Sequence, residues 1–259
     1  MKKLLTYYRY FFEYLKYGDF KSIFYSVMYV LFRKSHKSDR IIRTSVGKFF
    51  CRKNTNDFQF ANYAYEWGVK KYLLDHCREY TVFIDGGACI GDYSILLSRF
   101  GLKCYAFEPI EQNFNVMQKN FELNNLSGKI TALKLGLGAE NVQKYFIFNP
   151  VNTGASSCTT DQGKANCRAD IRTFDSLLPE LQIDPDERIL FKLDIESMEI
   201  EAIRGAASFI RNYPNITFVL EDKHTGQDPI QQALSDIATF EFGIVDNFNI
   251  FAKKTTSTK

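Results

Sequence analysis

The chain has 259 residues, 45% of them apolar, and a formal net charge of +3. That length suits one well-filled α/β domain with an extension, and the apolar share excludes disorder as the overall state. The six cysteines (Cys51, Cys77, Cys89, Cys104, Cys158 and Cys167) show no C-x-x-C or other metal-ligand spacing, which argues against a metal cluster and fits a reducing, cytoplasmic compartment.

Charge is unevenly placed. Residues 1–53 carry 13 Lys or Arg against three acids, a balance of +10, whereas the remainder has 20 basic and 27 acidic residues, a balance of −7. Residues 1–40 read as a basic, aromatic-rich extension with helices over 3–17 and 19–33. The longest apolar run there, Ile23 to Phe32, is ten residues, against the ~20 needed to span a bilayer. Its aromatic faces are expected either to pack on the domain or on a second copy in a homo-oligomer, or to rest on anionic lipid. In the second case residues 1–35 make a peripheral contact with an inner membrane. No zinc, RNP or helix-turn-helix signature accompanies the basic residues, so nucleic acid is not an expected partner.

Residues 41–80 read as a connecting region packed on the core, strand-like over 41–50 and helical over 58–76. A βα alternation over 81–253 then predicts an α/β domain. Strand 81–85 leads to helix 91–100, strand 103–107 to helix 111–123, and further strands occupy 130–135 and 143–148. A polar loop runs over 149–164. Strand 189–194, helix 198–211 and strand 216–220 follow, and late strands over 240–246 and 248–253 form a closing antiparallel hairpin. Residues 254–259 read as a disordered tail.

In an open α/β sheet, ligands sit beyond the carboxyl ends of the strands. After the first strand stands Asp85-Gly86-Gly87-Ala88-Cys89-Ile90-Gly91. A dinucleotide fingerprint, G-x-G-x-x-G, fails from Gly87 because Cys89 and Asp92 occupy its third and sixth places. This argues against a nicotinamide-dependent oxidoreductase. The D-x-G-x-x-x-G form suits S-adenosylmethionine, which has no phosphate to cradle. Glu108 lies 23 residues after Asp85 at the next strand end. A carboxylate there can accept from both ribose hydroxyls, each bond contributing roughly 1.5–3 kcal/mol.

The later strand ends bring Asp194, Glu196, Glu221 and His224. His224 is the first candidate for a general base, with Glu221 near enough in sequence to orient it; Glu196 and Asp194 compete for the role. These four could alternatively hold a divalent cation, although no metal is expected. Asn152 to Thr160 offers hydroxyls and amides for a loop over an acceptor, or a plain exposed connection.

Three stretches together resemble the FkbM family of S-adenosylmethionine-dependent methyltransferases over about residues 40–225. They are Phe83 to Asp92, then Phe107-Glu108-Pro109 with Asn113 and Asn120, and Lys192 to Glu199. The resemblance implies a seven-stranded Rossmann-like sheet with helices on both faces. It also implies methyl transfer, commonly to a hydroxyl oxygen of a sugar in a surface glycan or related metabolite. By the same resemblance Asp85, Gly87, Gly91 and Glu108 are cofactor residues, with Gly86, Ala88, Pro109 and Asn113 in the same motifs. Asp194 and Glu196 become active-site residues. Cys89 stands where the family usually has Asn, and Ser197 where it usually has Gly. A non-catalytic cofactor-binding or scaffold protein, working through its basic amino-terminal surface, is the alternative reading.

Overall fold

The computed structural model describes the backbone of residues 2–255 and the side chains of residues 5–255. Helices α1 (Lys2–Lys16) and α2 (Phe20–Phe32) form a hairpin turned at Gly18. Asp19 caps α2 by accepting the Ser22 N–H at 3.1 Å and pairs with Arg40 at 2.8 Å, so the hairpin is tied to the chain that follows. The fully buried Tyr14 ties it again, donating to the Phe58 carbonyl.

The expected strand over 41–50 is instead two short strands, β1 (Arg40–Arg43) and β2 (Lys48–Cys51), paired antiparallel. Thr44 makes the turn, its Oγ1 accepting the N–H groups of Val46 and Gly47. The expected helix over 58–76 is also interrupted, giving α3 (Asp57–Phe60) and α4 (Trp67–His76). Asn62 Oδ1 takes the Ala64 N–H at 2.8 Å, a local bond that competes with helix continuation. Glu66 then turns left-handed, with φ +48°.

After a 3-10 turn at Cys77–Glu79 the elements are β3 (Val82–Gly86), α5 (Asp92–Ser98), β4 (Lys103–Phe107), α6 (Glu111–Leu123) and β5 (Ile130–Leu133). Next come β6 (Gly136–Leu137), β7 (Val142–Ile147), β8 (Ser157–Thr159), β9 (Cys167–Arg172) and α7 (Phe174–Leu181). The chain finishes with β10 (Ile189–Leu193), α8 (Glu199–Gly205), α9 (Ala207–Asn212), β11 (Ile216–Glu221), α10 (Gln227–Ser235), β12 (Phe240–Ile244) and β13 (Asn249–Lys254). The single helix expected over 198–211 breaks at Ala206, beside Gly205. A Cβ on Gly205 would sit 1.9 Å from the Gly138 carbonyl oxygen, so the backbones touch there.

The main sheet has seven strands in the order β12-β13-β11-β10-β3-β4-β5. From β11 to β5 the pairs are parallel, and the β12–β13 hairpin closes one edge antiparallel, as expected. Successive residues of β3 and β10 are all buried, because side chains alternate between two covered faces. Phe83 and Leu190 pack with α5, α6 and the amino-terminal aromatics; Ile84 and Phe191 pack with α7, α8 and α9. The strand order reverses between β3 and β10, which fixes the crevice at their carboxyl ends.

The strand expected over 143–148 exists as β7, but in a second sheet of order β6-β9-β7-β8. Ile110, Phe146, Ala169, Ile171 and Met198 form a small core beneath that sheet. Lys254, expected in a disordered tail, is the last residue of β13, and its Nζ donates to the carbonyls of Ile210, Arg211 and Tyr213. Residues 256–259 of that expected tail lie outside the described residues.

Candidate active site

Gly87 sets the geometry of the crevice. It has φ +83°, and a Cβ there would lie 1.9 Å from the Asp194 carbonyl oxygen. The turn after β3 is therefore pressed against the end of β10 with no room for a side chain. Two adjacent chambers open on either side, sharing Gly87, Cys89, Gly154, Asp194 and Glu196 in their walls.

The first chamber is narrow and mostly apolar, with Phe107, Ile110, Leu137, Phe146 and Met198 around it and Glu108 and Asn113 among its polar groups. Glu108 Oε2 accepts the Cys89 N–H at 2.9 Å and Oε1 accepts the Ile110 N–H at 2.8 Å. A carboxylate has about four acceptor sites, so even with the Asn113 amide as a further donor Glu108 keeps acceptor capacity for a ligand. Burial pushes the Glu108 carboxyl up to about 7, against the opposing pull of those backbone donors.

The roof is the loop that the sequence left open between lid and plain connection. Thr153 is fully buried, and Asn152, Gly154 and Ala155 line the second chamber. Asn113 Nδ2 donates to the Thr153 carbonyl at 2.9 Å, and Thr153 Oγ1 donates to Asp57 Oδ1 at 2.9 Å. Arg52 grips Asp57 through Nε and a terminal nitrogen, both at 2.8 Å, and reaches Asn113 Oδ1 at 2.9 Å. Asn56 holds Asn152 and the Thr153 N–H. The loop is pinned.

The second chamber holds about 270 Å³ and is polar. Lys192, at the end of β10, pairs with Asp194 Oδ2 at 2.9 Å, and its Nζ lies 4.8 Å from the Tyr93 ring centre. Burial alone would push this ammonium down; Asp194, Asp85 and Glu66 around it more than offset that and hold it above its usual range. Tyr93 donates to Glu66 Oε2 at 2.7 Å. At the far end, His224 Nε2 lies 3.3 Å from Glu196 Oε2. Burial, then Asp194, pushes Glu196 up to about 7, and burial with Asp194 and Glu196 pushes Glu221 up to about 8. Donor atoms of Glu196, Glu221 and His224 all lie within 4.8 Å of one another, a spacing open to a cation, whereas Asp194 turns to Lys192. The partner of His224 is thus Glu196 and not the expected Glu221.

Of the expected cofactor residues, Gly87, Ala88, Glu108, Pro109 and Asn113 line the chambers. Asp85, Gly86 and Gly91 stand behind the wall. Asp85 is fully buried, accepts from Ser94 Oγ at 2.7 Å, and faces Lys192 in register across the sheet; burial lifts its carboxyl to about 6. A Cβ on Gly86 would meet Leu193 at 2.8 Å, and one on Gly91 would meet Phe121 at 2.6 Å, so both glycines serve packing. Cys89, which stands where the family usually has Asn, lines both chambers at φ +49° with its thiol half-buried. Glu196 and Ser197 follow at φ +51° and +81°, so Ser197 occupies a left-handed site that suits the glycine it replaces. Sequence reasoning did not single out Glu66, Tyr93 or Lys192 as site residues. Only Lys192, beside Asp194 in the third motif, carried a local signal.

The family model described as the methyltransferase FkbM domain matches residues 85–247. The chain belongs to the FkbM methyltransferase family. Two similar sequences are Methyltransferase 1 of Beauveria bassiana (28% identical over 185 residues, 58% of this chain and 73% of that protein) and methyltransferase sdnD of Sordaria araneosa (25% over 205 residues, 60% and 79%). A crystal structure of an FkbM methyltransferase from Methylobacillus flagellatus superposes with a TM-score of 0.49 at 18% identity. The match covers 68% of this chain but 44% of that one, so the chain spans less than half of that relative. An FkbM domain thus occupies the crevice-forming part of this fold.

Proposed function

We propose that this FkbM-family protein is an S-adenosylmethionine-dependent O-methyltransferase acting on a hydroxyl of a sugar or related metabolite. The observation that carries this reading is the Glu196–His224 pair at 3.3 Å, in a chamber that adjoins the Glu108 chamber at Gly87. The residues fit the cofactor: a buried carboxylate with acceptor capacity left for a ribose, an apolar slot for an adenine, and a side-chain-free turn at Gly87 where the chambers meet. When bound there, the cofactor supplies an electrophilic methyl group.

The chain's own residues do the rest. Glu108 accepts from the ribose hydroxyls, and Asn113 holds both the slot wall and the roof. Lys192 offers an ammonium, and Asp194 and Glu66 carboxylates, for the charged amino-acid end of the cofactor. His224 takes the acceptor's proton as its oxygen attacks, and Glu196 orients the ring and stabilises its charged form. The pinned roof shields the site from water and helps keep donor and acceptor aligned.

The test is isothermal titration with S-adenosylhomocysteine, followed by methyl transfer from labelled S-adenosylmethionine to glycan extracts. A folded sample that binds no S-adenosylhomocysteine would sink the cofactor assignment. With binding intact, His224→Asn is expected to cut transfer by roughly 10²–10⁴-fold. An unchanged rate would remove His224 as the base.

A further inference from the structure

Between α1 and α2 lies a third cavity of about 410 Å³, within the ~300–1,000 Å³ range of small-molecule sites. Its walls are Tyr7, Tyr10, Phe11, Val27, Val30 and Leu31, and it ends at Tyr65 and Glu66. Those last two residues also line the second chamber, so the apolar groove and the polar crevice adjoin at Tyr65 and Glu66. On the same two helices, Tyr8, Phe12, Phe20, Phe24 and Phe32 are each more than half exposed. So many large apolar side chains left exposed on two neighbouring helices mark a contact site.

Exposed cations outnumber exposed acids on the extension, where Asp39 is the exposed acid and Glu66 closes the groove's inner end. Arg9, Lys16, Lys21, Arg33, Lys34 and Lys37 are exposed. Glu13 is buried against Ser45, Asp19 is paired with Arg40, and Asp39 accepts the Lys53 N–H. Aromatic side chains with cations beside them suit the boundary of an anionic lipid layer.

We propose that the acceptor carries a hydrocarbon chain, which lies in the α1–α2 groove while its hydroxyl end reaches the Glu196–His224 pair. The two helices rest on the anionic lipid surface from which that acceptor is taken. This rests on the methyltransferase reading above, which a separate titration with S-adenosylhomocysteine tests independently. Among the described residues no helix is long and apolar enough to cross a membrane, so the contact lies along the surface.

The full chain is titrated with dansyl-undecanoic acid by fluorescence and sedimented with vesicles of phosphatidylglycerol and phosphatidylcholine. Saturable probe binding is expected, with sedimentation on the anionic vesicles and not on pure phosphatidylcholine. The variant carrying Val27→Glu and Leu31→Glu, and the groove-filling Val27→Trp, are each expected to weaken probe binding at least tenfold with unchanged S-adenosylhomocysteine affinity. That unchanged affinity reports an intact domain. Equal probe binding by wild type and both variants overturns the groove assignment. A stable dimer by light scattering that Leu31→Glu dissociates would give the face to a second copy and overturn it too.

Discussion

Glu108→Gln isolates the charge of one carboxylate while keeping its shape. Glu108 accepts two backbone N–H groups, one at each oxygen, at 2.8 and 2.9 Å. Glutamine has a single acceptor oxygen, so either orientation turns its NH₂ toward one of those donors. A buried N–H left without its acceptor costs about 1–3 kcal/mol. That loss falls on the empty protein and lowers its melting temperature by roughly 2–12 °C at this chain size. The ribose also loses a charge-assisted acceptor, about 1.5–3 kcal/mol, or roughly 10- to 150-fold in Kd. Isothermal titration with S-adenosylhomocysteine at pH 8.5, where the carboxylate is ionised, reads the second effect, and differential scanning fluorimetry reads the first. Because burial lifts Glu108 to about 7, protons compete for its lone pairs, and wild-type affinity is expected to fall as pH drops below that value. The variant lacks that step. Binding within twofold of wild type with the same pH dependence would refute the ribose assignment.

Three further outcomes follow from the same geometry. Gly87→Ala places a methyl 1.9 Å from the Asp194 carbonyl at φ +83°. Strain and overpacking together are expected to cost about 2–5 kcal/mol and at least tenfold in cofactor-product affinity; a variant that melts and binds like wild type would mean the turn is not pressed on β10. Burial raises Glu108 and Glu196 to about 7 and Glu221 to about 8, so the folded chain holds these protons more tightly than the unfolded one. Stability then falls as pH rises through that range. His36, pushed down to about 4 by burial, acts oppositely below its usual 6.5, so the ligand-free melting temperature is expected to decline from pH 6.5 to 8.5; a rise across that window counts against the buried carboxyls. Finally, transfer is expected to persist in EDTA; activity lost there and restored by Mg²⁺ would reassign Glu196, Glu221 and His224 as cation ligands.

The parallel strands were legible because each is a short apolar run closed by an acid or a glycine. β3 and β10 lie within one residue of their expected bounds. Glu108 was legible for the same reason, its place at a strand end being fixed by topology. Asp85 misled. A strand-end acid and its glycine turn are adjacent in sequence, yet the pleat sends Asp85 beneath the turn toward Lys192 while Gly87 meets the crevice. The breaks at 61–66 and Ala206 were not legible, since Asn62 and Gly205 act through contacts that hydrophobic periodicity does not encode. The second sheet was missed because its strands are short and half-exposed. Glu66 and Tyr93 reach the crevice from a left-handed turn and a helix start, places with no strand-end signature.

The pinned roof bears on how far this protein can be divided. Its loop belongs to the family-matched segment, 85–247, but two of its moorings, Asn56 and Asp57, lie outside it. Cutting the chain down to that segment would keep the roof and discard its moorings. The amino-terminal third is thus part of the crevice's wall and roof support rather than a detachable accessory. Variation around Arg52–Asp57 is a place where turnover could be tuned without touching a single group in contact with either reactant.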